Sequence, residues 1–246
     1  MSRALLRRLR AAYDSLRSRI WLRVNGRPPR IDVALLATSL PSAEAAVVLM
    51  RGAVGLHAGI AYREEPRGWR VLHLAMHERL TVDDRSSHSE WAYVLPAVDP
   101  IELEVLAAFC SVRAALAPNV TYGFRFDESK FEQEGNLLLG PGEVGLTCAT
   151  FIVAMFEHAQ IPLLVRDSWR TRQADLEAQA ELVRLMREHR LAPAQHLEAL
   201  EREVGCMRFR AEEVAAASAT SARPVRFARA EASGAQVLRD FLERVA

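Results

Sequence analysis

Short apolar runs dominate the first part of the chain, and helical periods take over later. Residues 30–39 (RIDVALLATS) and 45–50 (AAVVLM) are apolar and partly β-branched, with Leu40-Pro41-Ser42 between them. They read as two strands, or as one strand and a short helix. Residues 57–62 (HAGIAY) and 69–75 (WRVLHLA) are again apolar runs of strand length, and the polar stretch 63–68 between them contains Pro66 and Gly68. This pair predicts a β-hairpin. Helical spacing appears at 99–117, where Asp99 can cap, Pro100 takes the first helical position, and Leu103, Leu106, Phe109, Cys110 and Ala114 share a face. Pro118 ends that helix. Residues 119–145, rich in Gly, Asn and acids and closed by Gly140-Pro141-Gly142, read as a loop.

From 146 to 159 (LTCATFIVAMFEHA) apolar residues run nearly all round, which predicts a buried central helix with Thr147 as N-cap. Residues 170–204 alternate Glu and Arg and break at Ala192-Pro193, the pattern of two charged helices with a structural role. A connector at 218–224, a short strand at 225–227 and a closing helix at 236–245 complete the reading. No internal repeat or low-complexity tract is present. The expectation is an α+β fold, an antiparallel sheet packed on a central helix with extra helices at both ends.

Charge alters this picture only at the start. Half of the 246 residues are hydrophobic and the net charge is +1, yet residues 1–30 hold nine arginines against Asp14 alone, leaving about −7 on the remainder. Leu5, Leu6, Leu9, Tyr13, Leu16 and Ile20 recur there at helical spacing, so this segment reads as a basic amphipathic helix. Either it docks on the protein's own core, or it meets an acidic partner, a membrane surface or nucleic acid. Aromatic-basic interleaving is missing, which argues against a nucleic-acid-binding protein. No apolar run approaches the ~20 residues of a transmembrane helix, and no secretory leader is visible, so a cytoplasmic location is expected. Three cysteines suit neither a disulfide framework nor a zinc ribbon, and a reduced compartment fits.

Chemistry concentrates on Cys148. It falls in the first turn of the buried helix, after the glycine-rich stretch 140–145. Unpaired N–H groups and the positive end of the helix dipole stabilise a thiolate at such a place, bringing its pKa toward ~3.5 to 7.5. The same N–H groups can donate to an oxyanion. Cys110 lies mid-helix on an apolar face, and Cys206 follows Gly205 in a segment the pattern does not place. Among the histidines, His57 and His73 have the same parity. A hairpin register setting odd residues opposite odd ones projects both from one face, close enough to share a hydrogen bond. One imidazole can then take the thiol proton while the other fixes its tautomer. His77 competes as a partner, and a zinc site of His57, His73 and His77 is a further alternative that leaves Cys148 without a role. His88, His158, His189 and His196 stand in polar or helical contexts without a chemical signature.

His57-Ala-Gly-Ile-Ala-Tyr, then Val71-Leu72-His73-Leu74-Ala75, and much later Leu146-Thr147-Cys148-Ala149-Thr150-Phe151-Ile152 form an ordered trio. It resembles the circularly permuted branch of the NlpC-type papain-like superfamily, which includes lecithin retinol acyltransferase and bacterial YiiX/YebB-type hydrolases. The resemblance covers roughly residues 50–160. It implies a papain-like core with His57 as base, His73 as third member and Cys148 as nucleophile. Thr147 stands where the acyltransferases usually have Asn, and the membrane-spanning tail common among them is missing, which favours a soluble amide or peptide substrate. The composition has a bacterial look.

The expected organisation is therefore a basic helix at 1–30, a catalytic core at 31–170 and a helical extension at 171–246. The expected activity is that of a cysteine hydrolase cutting an amide, peptide, ester or thioester bond, without cofactor or metal. Trp91, Tyr93 and Tyr122 are candidates to line its groove. Two rivals stand beside it: acyl transfer at the same site, and a non-catalytic papain-like module that binds a partner protein.

Overall fold

The computed structural model of the protein describes residues 30–84, 90–116, 119–132 and 134–245. The basic segment anticipated at 1–30 lies outside them, apart from Arg30, and so does His88. Six antiparallel strands form one sheet: β1 (Val33–Leu35), β2 (Ala45–Gly52), β3 (Gly55–Glu64), β4 (Gly68–Met76), β5 (Arg79–Asp84) and β6 (Ala92–Val94), in the order β1-β6-β2-β3-β4-β5. Both early apolar runs are thus strands. The anticipated hairpin is β3–β4, and the short β6 is inserted between β1 and β2 although nothing local singles it out.

The run AAVVLM is apolar throughout because β2 is covered on both faces. Ala45, Val47 and Leu49 join the main core together with Ala58, Ile60, Leu72 and Leu74. Ala46, Val48, Ala61, Val71, Trp91 and Tyr93 form a second cluster on the opposite face. Strand alternation therefore assigns the whole of β3 and β4: even positions face the helices, and odd positions face Trp91.

Helix α1 (Pro100–Leu116) is capped by Asp99, whose Oδ1 accepts from the N–H of Ile101 at 2.9 Å. Helix α2 (Cys148–His158) crosses the main core with residues 149–156 all buried, which explains its lack of an amphipathic pattern. A two-stranded ribbon, β7 (Lys130–Phe131) with β8 (Leu137–Leu138), interrupts the anticipated loop. The two charged helices are α3 (Gln173–Glu188) and α4 (Ala194–Arg202). Then follow α5 (Ala211–Ser218), which carries no strong periodicity, and α6 (Phe227–Val245), longer than its anticipated range. Where 225–227 was expected as a strand, Val225 makes only an isolated bridge to Leu164 before α6 begins.

The C-terminal helices are tied into the site region. Glu203, at the end of α4, is 4% exposed, and its carboxylate accepts the backbone N–H groups of Phe124, Arg125 and Val144 at 2.7, 3.0 and 3.1 Å. Glu143 does the same within the loop for Asp127, Glu128 and Ser129. Two buried carboxylates thereby satisfy the N–H groups of a long irregular segment, as a loop held against a core requires. Helix α5 packs on β2, β3 and α2, and Gly234 of α6 lets that helix approach Glu213 so closely that an added Cβ would sit 3.0 Å from backbone. Among the described residues, no helix is long and apolar enough to cross a membrane.

Candidate active site

Strand β3 builds the site. Its pairing to β2 is fixed at one end by the N–H of Arg63 donating to Glu44 at 3.0 Å, so odd residues bond toward β2 and even residues turn their N–H groups outward. The recorded pairing with β4 stops at Ile60↔Leu72, leaving the outward N–H of Ala58 beyond it. The first turn of α2 comes to that place. Backbone N–H groups of Ala58, Cys148 and Ala149 all act on the Cys148 sulfur.

Thr147 makes the front of α2 rigid. Its hydroxyl accepts the N–H of Thr150 at 3.1 Å, and the Thr150 hydroxyl accepts the N–H of Thr147 at 2.7 Å, a reciprocal capping box. The N–H groups of Cys148 and Ala149 precede the first intrahelical bond, from Phe151 to Thr147, and so remain available at the sulfur.

On the odd face of β3 and β4 the two anticipated histidines meet. His57 Nε2 and His73 Nδ1 are 2.9 Å apart, with ring centroids 5.0 Å apart and planes at 77°. They are diagonal neighbours rather than directly opposed, because Gly59 is what faces His73: a Cβ on Gly59 would lie 2.9 Å from His73 Cβ. The missing side chain is what lets the imidazoles reach each other. Trp91, fully buried, packs against both rings at 5.8 and 5.4 Å.

A fourth member, not identified from sequence, completes the line. His73 Nε2 lies 2.9 Å from Asp83 Oδ2, with His73 7% exposed. The carboxylate only accepts, so His73 carries its proton on Nε2 and offers a lone pair at Nδ1. His57 must then donate from Nε2, which leaves the lone pair on His57 Nδ1, the nitrogen next to the backbone that leads to Ala58. One carboxylate thus sets the tautomers of two rings. The signal available in the sequence was parity: Asp83 sits on β5, which pairs with β4 through His73↔Thr81, and shares the odd face.

No hydrogen bond joins the Cys148 thiol to His57 among the described residues; the sulfur sits one residue along β3 from it, at Ala58. The expected thiolate is corrected as well. Burial pushes the Cys148 thiol up, and this outweighs the helix N–H groups and the charge of Arg208. Burial also lowers His57 from its ordinary 6.5 to about 4, against the opposing charge of Asp83. At neutral pH the resting pair is therefore thiol and neutral imidazole.

Around Cys148 lies a cavity of about 30 Å³, room for roughly one water, lined in part by Leu56, Tyr122, Phe124, Gln179, Arg208 and Phe209. Three of these, Gln179, Arg208 and Phe209, belong to the helical extension expected at 171–246, and Gln179 stands on one of the two charged helices expected to be structural. Of the anticipated groove aromatics, Tyr122 is there. Trp91 backs the histidines, while Tyr93 bonds Ser39 at 3.0 Å, away from the thiol.

The remaining candidates are placed elsewhere. His77 accepts the N–H of Tyr122 at 3.3 Å and lies against His196, ring centroids 3.8 Å apart, so it does not converge with His57 and His73 as a zinc triad requires. Among the described residues, no group of three or more His, Cys, Asp or Glu side chains is disposed to hold a metal. Cys110 is fully buried and burial pushes its thiol up; Cys206 is pushed up to about 11, chiefly by burial. His158 stacks on Phe109 at 3.7 Å.

The comparisons with known proteins find no matching family model, no matching curated protein and no matching solved structure.

Proposed function

We propose that the protein is a cysteine hydrolase of permuted papain-like design, with Cys148 as nucleophile, His57 as base, His73 as the group that orients the base, and Asp83 behind it. The observation that carries this reading is the Asp83–His73–His57 line, which ends in a lone pair on His57 Nδ1 beside the residue whose N–H addresses the Cys148 sulfur. A line of that polarity has a chemical use. It accepts a proton at the end nearest the thiol and stabilises the resulting imidazolium at the other.

In the reaction His57 Nδ1 takes the proton from the Cys148 thiol as the sulfur attacks an acyl carbonyl. The N–H groups of Ala58, Cys148 and Ala149 are available to the oxyanion; a comparable donor is worth ~2.7 to 4 kcal/mol. The protonated His57 gives its proton to the departing amine or alcohol, and a thioester remains on Cys148. His57 then deprotonates water, which attacks the thioester and regenerates the thiol. A neutral resting pair means that proton transfer accompanies attack instead of preceding it. His57 projects from the odd face of β3 while α2 packs on the even one, so the contact is made past the end of the β3–β4 pairing, where Ala58 meets the sulfur, and needs a turn of the His57 ring as well as a movement at the front of α2. Access needs a further movement, of α3 or of the segment carrying Arg208, since about 30 Å³ admits no acyl group.

Acyl transfer to an amine or alcohol uses the same steps, and the apolar lining from Leu56, Phe124 and Phe209 suits a site that limits water. Product analysis with and without an amine acceptor separates the two outcomes. The test of the common mechanism is acylation by p-nitrophenyl acetate, mapped to individual cysteines by peptide mass spectrometry. Cys148 is expected to form the thioester faster than Cys206, with the rate falling as pH drops through about 4. In His57→Ala and Asp83→Asn the rate falls by ~10² or more. Equal acylation of Cys148 and Cys206, indifferent to both substitutions, would falsify the mechanism.

A further inference from the structure

Helix α1 carries two apolar stripes, and the core takes one of them. Leu103, Leu106, Phe109 and Cys110 are buried, whereas Ile101, Val105, Ala108, Val112 and Leu116 are exposed, Ile101 at 70% and Leu116 at 56%. Steps of four, three and four residues from Ile101 to Val112 follow the spacing of a helix–helix seam. Ile and Val lose side-chain freedom on a helix and gain nothing from facing water, so three of them along one outer stripe point to a cover. A cleft of about 510 Å³ adjoins the stripe at Ala108 and is bounded by Glu44, Arg63, Glu64, Glu65 and Glu104. Its charges are partly paired. Arg63 meets Glu44 and Glu65, Glu64 meets Arg67 and Arg70, and Arg70 also meets Asp84. With every one of these partners counted, five carboxylates stand against three guanidiniums, and Glu104 makes no ion pair among the described residues.

An apolar seam beside an acidic cleft fits a helix that is apolar on one side and basic on the other. The chain carries such a pattern ahead of β1. Residues 1–29, outside the described part, place Leu5, Leu6, Leu9, Tyr13, Leu16 and Ile20 at helical spacing and hold eight arginines against Asp14. We propose that this segment docks within its own chain as a basic amphipathic helix on the outer face of α1, its apolar stripe on Ile101–Leu116 and its arginines toward the acidic cleft. The lengths agree, since Leu5–Ile20 and Ile101–Leu116 are sixteen residues each, ~24 Å of helix. The tether is long enough. Nine residues separate Ile20 from Arg30 and can span ~30 Å, whereas β3, on which α1 packs, lies three strand spacings from β1, ~14 Å. A second copy of the same face would set acid against acid, and an anionic membrane would meet the same repulsion. Attachment within one chain adds a high effective concentration.

The test is a benzoylphenylalanine photocross-linker in place of the exposed Val112, in the full chain, with linked peptides identified by mass spectrometry. Expected is a link within one chain to a peptide from residues 1–29, and none to that segment from the same probe at Leu242, which is exposed on α6. Trypsin supplies a second measurement, because its cleavage sites crowd the segment. Val105→Asp combined with Val112→Asp should speed cleavage after Arg7 to Arg19 about tenfold or more, while cleavage at Arg184 and Arg187 on α3 keeps its rate. Glu104→Lys and added salt should both act in the same direction. Should the double variant unfold, cleavage on α3 rises with it and the cross-link decides. A link from position 112 that joins two chains would overturn the proposal in favour of a seam between copies. So would the lack of any link to residues 1–29, or tryptic rates in that segment indifferent to the substitutions on α1. Neither measurement involves Cys148, so this proposal and the catalytic reading can fail separately.

Discussion

Replacing His57 by Gln should remove a specific part of the protein's acid sensitivity. In the unfolded chain His57 titrates near its ordinary 6.5, and in the folded protein burial holds it at about 4. As pH falls below 6.5 the unfolded state binds a proton that the folded state does not take, so stability falls; the loss is complete once pH passes below about 4. The 6.5-to-4 interval corresponds to about 3 kcal/mol in full, and to about 2 kcal/mol at pH 5. That is a substantial share of the roughly 5–15 kcal/mol that separates a folded domain from its unfolded chain. The assay is urea denaturation of the wild type and His57→Gln at pH 7 and pH 5. All other groups titrate in both proteins, so the difference between the two pH-dependent losses isolates this ring. The wild type should lose about 2 kcal/mol more than the variant. Equal losses would refute the reasoning, since they would mean that His57 is protonated as readily in the fold as outside it.

Two further outcomes probe the scaffold of the site. Gly59→Ala places a methyl 2.9 Å from His73 Cβ and 3.0 Å from the Leu72 carbonyl, and should cost about 1–3 kcal/mol in urea melts while separating the imidazoles. Its Cys148 acylation rate should then resemble that of His57→Ala; a normal rate would show that the histidine contact is not required. Glu203→Gln leaves one oxygen to serve Phe124 and Arg125 and turns an amide N–H₂ toward the N–H of Val144, donor against donor. A loss of about 1–3 kcal/mol is expected, and an unchanged urea midpoint would show that these N–H groups find other partners.

Local information sufficed for much of the chain. Composition and periodicity settle the hairpin, the start of α1 at Pro100, and the cap that puts Cys148 at the front of a buried helix, because caps, turns and the two-residue alternation are properties of neighbouring residues. Parity alone puts His57 and His73 on one face. What the sequence left open belongs to contacts between distant segments. Asp83 becomes the end of the histidine line only through the register of β4 with β5, and β6 finds its place between β1 and β2 only in the assembled sheet. Arg208 reaches the cavity of a residue 60 positions before it because the C-terminal helices fold back over the site. The protonation of Cys148 was decided in the same way. A helix start favours the thiolate through nearby N–H groups, whereas the opposing cost of burial depends on everything packed around the sulfur, and that quantity exists only once the chain has folded.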